Sequence, residues 1–161
     1  MIEVKGYDRL LKVVKRLNND GLQFELWLVG YGKDEEKLKR FTAENNLTNV
    51  KFLGKQKNPY KYMKNADLYV CSSKYEGFNL TVAEALFLGT PVLSTDCTGP
   101  REILDDGKYG MLVDNSEDGL YNGILRLINQ KDLLKEYRTK AIERQSFFDE
   151  SRIISQIKNL F

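Results

Sequence analysis

The sequence predicts an α/β domain: a doubly wound, Rossmann-like parallel sheet with helices on both faces. Three observations carry this. Short apolar runs alternate along the chain with helix-like stretches of about ten residues. The runs are apolar at successive positions, as strands covered on both sides must be. Crossovers of that length between strands make right-handed βαβ units, and those build a parallel sheet.

The elements follow in order. Tyr7, Leu10, Leu11, Val14 and Leu17 recur at spacings of three and four, which gives one apolar helix face. Asn18-Asn19-Asp20-Gly21 stops that helix. Residues 24–29 read as a buried strand ending in Gly30. Residues 34–46 form a charged amphipathic helix with Leu38 and Phe41 inward, and residues 50–53 a second strand closed by Gly54. Pro59 opens a short helix carrying Tyr60, Tyr62 and Met63. A strand over 66–71 precedes a helix over 79–88, which Gly89 stops. Strands over 91–95 and 109–113 follow, then helices over 117–130, 131–144 and 150–160.

The beginning departs from the pattern. A doubly wound sheet starts with a strand that lies near its middle. Here the first element is a helix preceded only by residues 1–5. Either a strand has been cut off, or these residues form an unusual stub. A gap or free edge left in the sheet would then need filling.

The 161 residues suit one domain with its own core, and the net charge of +2 implies no strong pull toward a polyanion. Lysines are spread along the helices rather than gathered, so no nucleic-acid partner is expected. The absence of histidine excludes a Ser-His-Asp triad, a Cys-His pair and a histidine metal site within these residues. Cys71 and Cys97 lack zinc-ligand spacing and read as reduced structural thiols. With no secretory signal and no apolar stretch of about 18 residues, the expected location is cytoplasmic. Peripheral attachment at the inner face of a membrane, through other parts of a longer protein, stays open.

In open α/β sheets ligands bind at the carboxyl ends of the strands. That rule selects Gly30-Tyr31-Gly32, Gly54-Lys55-Gln56, residues 72–80 and residues 96–101. In the third segment a strand leads into a helix whose first amides point outward, a natural phosphate site. Gly77 allows close approach there. Glu76 lies before that helix, or in its first turn, and Glu84 two turns within it. Carboxylates beside a phosphate site make chemical sense when they accept hydrogen bonds from hydroxyl groups. A ligand with phosphates in the middle and a polyol at each end is a nucleotide sugar.

The run Glu76-Gly77-Phe78-Asn79-Leu80-Thr81-Val82-Ala83-Glu84-Ala85, with Gly89-Thr90-Pro91-Val92 after it, resembles the E-x7-E motif of family-four glycosyltransferases of GT-B fold. Lys5-Gly6 with Leu10-Leu11, Leu28-Val29-Gly30-Tyr31-Gly32, Phe52-Leu53-Gly54, Ala66-Asp67-Leu68, Thr98-Gly99-Pro100-Arg101-Glu102-Ile103 and Gly110-Met111-Leu112-Val113 extend the resemblance over nearly the whole chain.

The resemblance implies roles. Glu76 contacts hydroxyls of the transferred sugar and Glu84 those of the ribose. The amides of Gly77, Phe78, Asn79 and Leu80 cradle the diphosphate. Lys5 pairs with charge on the departing diphosphate, beside an arginine expected upstream of residue 1. The backbone at Lys55 and Gln56 meets the base, and Gly30 and Gly32 leave room beside the nucleotide. It further implies that residues 1–161 are a single C-terminal donor-binding domain, with the acceptor-binding N-terminal domain outside this chain. The donor is expected to be a UDP- or GDP-sugar and the acceptor a glycan or lipid-linked glycan. No cofactor or metal is required, and the sugar's anomeric configuration is retained.

Other readings stand beside these: a donor-binding subunit without activity on its own, or another GT-B enzyme such as a nucleotide-sugar epimerase. Glu76 and Glu84 could be a solvated helix face and Lys5 a surface lysine. Gly30-Tyr31-Gly32 could be only a tight turn, and it is no dinucleotide fingerprint, since Glu35 stands where a third glycine belongs. Arg101 and Glu102 could belong to a capped turn. Tyr60, Tyr62 and Tyr69 read as packing residues, and Phe147 and Phe148 as anchors of the last helix.

Overall fold

The structure, a computed structural model, describes residues 1–145. The expected helix over 150–160, with Phe147 and Phe148, lies outside the described residues.

Five strands and seven α-helices alternate. They are α1 (Tyr7–Asn19), β1 (Leu26–Val29), α2 (Glu35–Glu44), β2 (Val50–Gly54), α3 (Tyr60–Asn65), β3 (Tyr69–Cys71), α4 (Leu80–Phe87), β4 (Val92–Thr95), α5 (Thr98–Ile103), β5 (Met111–Val113), α6 (Glu117–Asn129) and α7 (Lys131–Gln145). Residues Glu3–Lys5 form one 3-10 turn ahead of α1. All strand pairs are parallel.

The expected single sheet is instead split in two. One sheet has the order β1-β2 and the other β3-β4-β5. A doubly wound sheet of order 3-2-1-4-5-6 that lacks its strand 1 leaves this pattern of two strands, a gap and three strands. Residues 1–5 form no strand. They run over the carboxyl ends of the strands: the Met1 ammonium donates to the Tyr31 carbonyl, Asp34 N–H to Met1 O, and Lys74 N–H to Val4 O.

Alternation along β4 builds two cores at once. Val92 faces a cluster with Val82, Ala85 and Leu86 of α4, Ile103 of α5, and Tyr109. Leu93 faces the opposite side, against Leu10, Val13 and Leu17 of α1 and Leu120, Ile124 and Leu127 of α6. A third cluster joins Leu11 and Val14 of α1 to Leu28 of β1 and Leu38 of α2. Helix α1 therefore packs on both sheets. Its apolar face is wider than the sequence reading held, because Val13 is also fully buried.

Four strands are shorter than expected: β1 and β4 begin at Leu26 and Val92, and β3 and β5 lose most. The ladder of β3 begins at Tyr69, paired with Val92, and that of β5 at Met111, paired with Leu93. Residues 66–68 and 109–110 thus lack ladder partners, although Tyr109 is a core residue. Arg101 and Glu102, which could have belonged to a capped turn, lie in α5.

Candidate functional site

The carboxyl ends of β3 and β4 bring together Lys5, Ser73, Glu76 and the start of α4. Lys5 Nζ lies 2.7 Å from Glu76 Oε2, across 71 residues of chain. Ser73 Oγ donates to the same oxygen at 2.9 Å. Glu76 Oε1 has no hydrogen-bond partner among the described residues and remains available to a hydroxyl group. Glu76 sits in the loop four residues before α4, not in its first turn.

Gly6 and Arg9 build this geometry. Gly6 has φ +66°, and a Cβ there would overlap the Ser72 carbonyl oxygen. Arg9, inward on α1, donates Nε and Nη2 to Ser72 O at 3.0 and 2.8 Å and Nη2 to Ser73 O at 2.6 Å. It also reaches Asn115 Oδ1 at 2.7 Å. Burial lowers the Arg9 guanidinium below its usual pKa, and its fixed fork of donors suits several carbonyls at once. Ser72 Oγ donates to Lys5 O at 2.9 Å, so the loop holds the lysine's backbone in turn. Sequence reasoning missed Arg9. The signal was present, because Arg9 stands four and eight residues before the buried Val13 and Leu17, on the inward stripe.

Asn79 caps α4. Its Oδ1 accepts from Val82 N–H at 3.2 Å and from Thr81 Oγ1 at 2.7 Å, and its Nδ2 donates to Cys71 Sγ at 3.2 Å. Tyr69 hydroxyl and Thr81 Oγ1 lie 2.6 Å apart and complete a chain under the helix start. The cap uses the Val82 amide and leaves others free. The N–H groups of Gly77, Phe78, Asn79, Leu80 and Thr81 form no hydrogen bond with the described residues. Thr81 thus joins the four amides expected from the sequence. Gly99 brings α5 against this loop: its N–H donates to Glu76 O at 3.1 Å, and a Cβ on it would lie 2.7 Å from Gly77 O.

Glu84 lies on α4 with Oε1 accepting from the Tyr60 hydroxyl at 3.1 Å. Tyr60 is thus both a surface residue and a partner of a site carboxylate, not simply a packing residue. Tyr69, in contrast, is packed as expected, and burial pushes its phenol pKa well above 10.0.

Lys55 and Gln56 follow β2, apart from the pair at Glu76. Lys55 Nζ stands 5.7 Å from the centre of the Tyr31 ring. The Gln56 side chain is committed within the protein: Nε2 donates to Leu53 O at 2.5 Å and Oε1 accepts from Tyr62 at 3.1 Å. Gly30 has φ +117° and open space around its Cα. Gly32 is different, because a Cβ there would overlap the Met1 backbone. The room at Gly32 is occupied by the chain itself.

Beside Glu76 opens a cavity of about 410 Å³ lined by Lys74, Tyr75, Asp96, Cys97, Arg101 and Asn115, among others. Arg101 is paired there with Asp96 and Asp106. Among the described residues no group of three metal-ligating side chains converges, and no helix is long and apolar enough to cross a membrane.

Parallel sheets with helices on both sides give this chain the architecture of a GT-B glycosyltransferase domain. The family model "Glycosyl transferases group 1" matches residues 1–144, and the chain belongs to that family. An uncharacterised glycosyltransferase of Methanocaldococcus jannaschii is 35% identical over 192 aligned positions, which take in 99% of this chain and 47% of that protein. The N-acetylgalactosamine-N,N'-diacetylbacillosaminyl-diphospho-undecaprenol 4-alpha-N-acetylgalactosaminyltransferase of Campylobacter jejuni is 32% identical, over 92% of this chain and 41% of that protein. A crystal structure of an S. aureus TarM mutant in complex with Fondaparinux, alpha-GlcNAc-glycerol and UDP superposes with a TM-score of 0.85 at 28% identity. That superposition covers 99% of this chain and 33% of that one. The chain thus spans less than half the length of these relatives.

Proposed function

We propose that residues 1–161 are the donor-binding half of a retaining glycosyltransferase, which takes a hexose from a UDP- or GDP-sugar. The acceptor is a glycan or a lipid-linked glycan, held by a further domain outside this chain. The enzyme works in the cytoplasm, with peripheral attachment to a membrane made, if at all, by the full-length protein. The observation that carries this reading is the Lys5–Glu76 contact beside the unpaired amides of residues 77–81.

In this reading the diphosphate sits on those amides and on the positive end of α4. Lys5 swings from Glu76 toward the phosphates, and Glu76 turns to the sugar hydroxyls. Glu84 exchanges the Tyr60 hydroxyl for the ribose. The sugar–phosphate bond breaks first and the electron pair stays on the diphosphate. The acceptor oxygen then attacks from the same face, and its proton passes to the departing phosphate. Stabilising charge on the leaving group is the protein's main task, and fixed amides do so without reorganising. No metal has a role in the scheme. The relatives' greater length favours a second reading: the chain binds donor and is inactive without its partner half.

Calorimetry with UDP, GDP and their sugars tests the proposal. The chain is expected to bind a nucleoside diphosphate weakly. Glu84→Ala weakens binding of UDP and UDP-sugar alike, whereas Glu76→Ala weakens only the sugar-bearing ligand. Equal losses of UDP and UDP-sugar in Glu76→Ala would refute that division of labour, and no nucleotide binding at all would overturn the reading.

A further inference from the structure

The spread of lysines along the sequence has one exception. Residues 45–66 hold Lys51, Lys55, Lys57, Lys61 and Lys64 and no acid. With those five set aside, 20 of the 25 basic side chains stand against 23 acidic ones, a net charge of −3. All five lysines are exposed. None of the ion pairs among the described residues includes them. Uncompensated like charges at this density raise a positive field over the surface they share.

The fold gathers most of them on one face. Leu26 and Leu28 of β1 turn toward α1, so alternation points Trp27 to the opposite side. Lys51 is the parallel partner of Trp27 on β2 and shares that side. Helix α3 lies beside them: the Tyr62 ring meets Trp27 edge-on, with centres 6.1 Å apart. Lys61 Nζ stands 4.7 Å from the centre of the Tyr62 ring. Lys64 follows three residues later on the same side of α3, and Lys57 precedes the helix. Trp27 is 41% exposed, although it is the largest side chain of the sheet. Its Nε1 donates to Glu25 at 3.0 Å, the acid that touches this face. The result is two aromatic rings bordered by unpaired ammonium groups.

We infer that this face docks on an anionic lipid bilayer through Lys51, Lys57, Lys61 and Lys64, with Trp27 and Tyr62 at the level of the headgroups. Lysine stems lie along apolar surface while their ammonium groups reach phosphate, and Trp and Tyr favour a layer that is apolar on one side and wet on the other. Each lysine near an anionic bilayer adds about fivefold to the partition. Single-stranded nucleic acid fits this face less well. A base stacks on an open ring face. Here Lys61 lies over the Tyr62 ring, and Trp27 meets that ring edge-on. Tyr60, at the start of α3, donates to Glu84, so a bilayer held against α3 borders the proposed donor site. The docking itself does not rest on that reading.

The test uses the 161-residue chain and vesicles of phosphatidylcholine with about one-third phosphatidylglycerol. Trp27 is the chain's one tryptophan, so its fluorescence reports on this face. Added vesicles are expected to pellet the chain and shift the emission to the blue. Lipids brominated high on the acyl chains quench it, and salt near about 1 M reverses both effects. Vesicles of phosphatidylcholine alone bind about tenfold less or weaker still. The triple variant Lys57→Gln, Lys61→Gln, Lys64→Gln lowers the partition by about a hundredfold, at roughly fivefold for each lysine. Lys15→Gln, Lys37→Gln, Lys131→Gln removes the same charge from exposed lysines elsewhere and leaves the partition within about threefold. Four results overturn the proposal. They are no pelleting with anionic vesicles, pelleting with Trp27 unquenched, equal losses in the two triple variants, and displacement of the vesicles by a single-stranded oligonucleotide. The last assigns the face to nucleic acid. No nucleotide sugar enters the assay, so the donor-site reading stands or falls separately.

Discussion

Lys5 shows what one residue's neighbour can do. Its ammonium meets Glu76 only because Gly6 turns the chain in the left-handed region, against the Ser72 carbonyl. Gly6→Ala puts a Cβ onto that oxygen and strains the backbone at φ +66°. The expected cost is about 1–3 kcal/mol, or a melting temperature lower by roughly 3–10 °C. Thermal denaturation followed by circular dichroism checks it, and an unchanged melting temperature refutes the close approach. Glu76, Glu84 and Lys5 were legible as candidate site residues, because the motif's spacing resembles a known pattern. Their mutual geometry was not legible. A contact across 71 residues has no local signal. Arg9 went unread for another reason. An arginine amid leucines and valines looks like the edge of an apolar stripe, and only the fold shows the Ser72 and Ser73 carbonyls waiting for it.

At the scale of the element, α4 begins on a hydrogen-bonded chain from Tyr69 through Thr81 to Asn79. Burial raises the Tyr69 pKa, so the folded state holds the phenol neutral where the unfolded chain, at about 10, releases its proton. The sign follows from proton counts. Below pH 10 both states keep the proton and folding gains nothing. Above it the unfolded state loses the proton first, so stability falls as pH rises toward the higher folded value. Tyr69→Phe is expected to flatten part of this loss between pH 10 and 11.5, as urea denaturation can measure; identical slopes in both proteins would show that Tyr69 is not held neutral. Boundaries at this scale were only partly legible. Residues 66–68 and 109–110 are apolar enough to read as strand, yet a strand needs a paired neighbour, and the ladders start at Tyr69 and Met111. Helix α5 contains Pro100 within its first turn, where its missing N–H costs nothing.

For the whole molecule, the alternation of strands and helices was enough to read the fold class, and the oddness of a leading helix already pointed to a broken sheet. What the pattern could not show is how the halves hold together. The β1-β2 sheet is tied to the rest through α1, where Leu11 lies fully buried against Leu28, Leu38 and Leu47. The three-stranded sheet has helices α4 and α6 on its two faces besides. Such an arrangement opens in parts, because the half with less buried contact costs less to expose. Amides in the β1-β2 ladder are therefore expected to exchange about tenfold faster than those of β4 under native conditions. Leu11→Ala removes a buried side chain at an expected cost of about 2–5 kcal/mol. Its effect should fall first on the β1-β2 ladder, because the cavity opens in the cluster that holds that ladder to α1. Leu93 and Ser94 of β4 should keep most of their protection until global unfolding. If both ladders sped up by the same factor, the molecule would be opening as one unit, and α1 would be welding the two sheets together across the gap rather than hinging them.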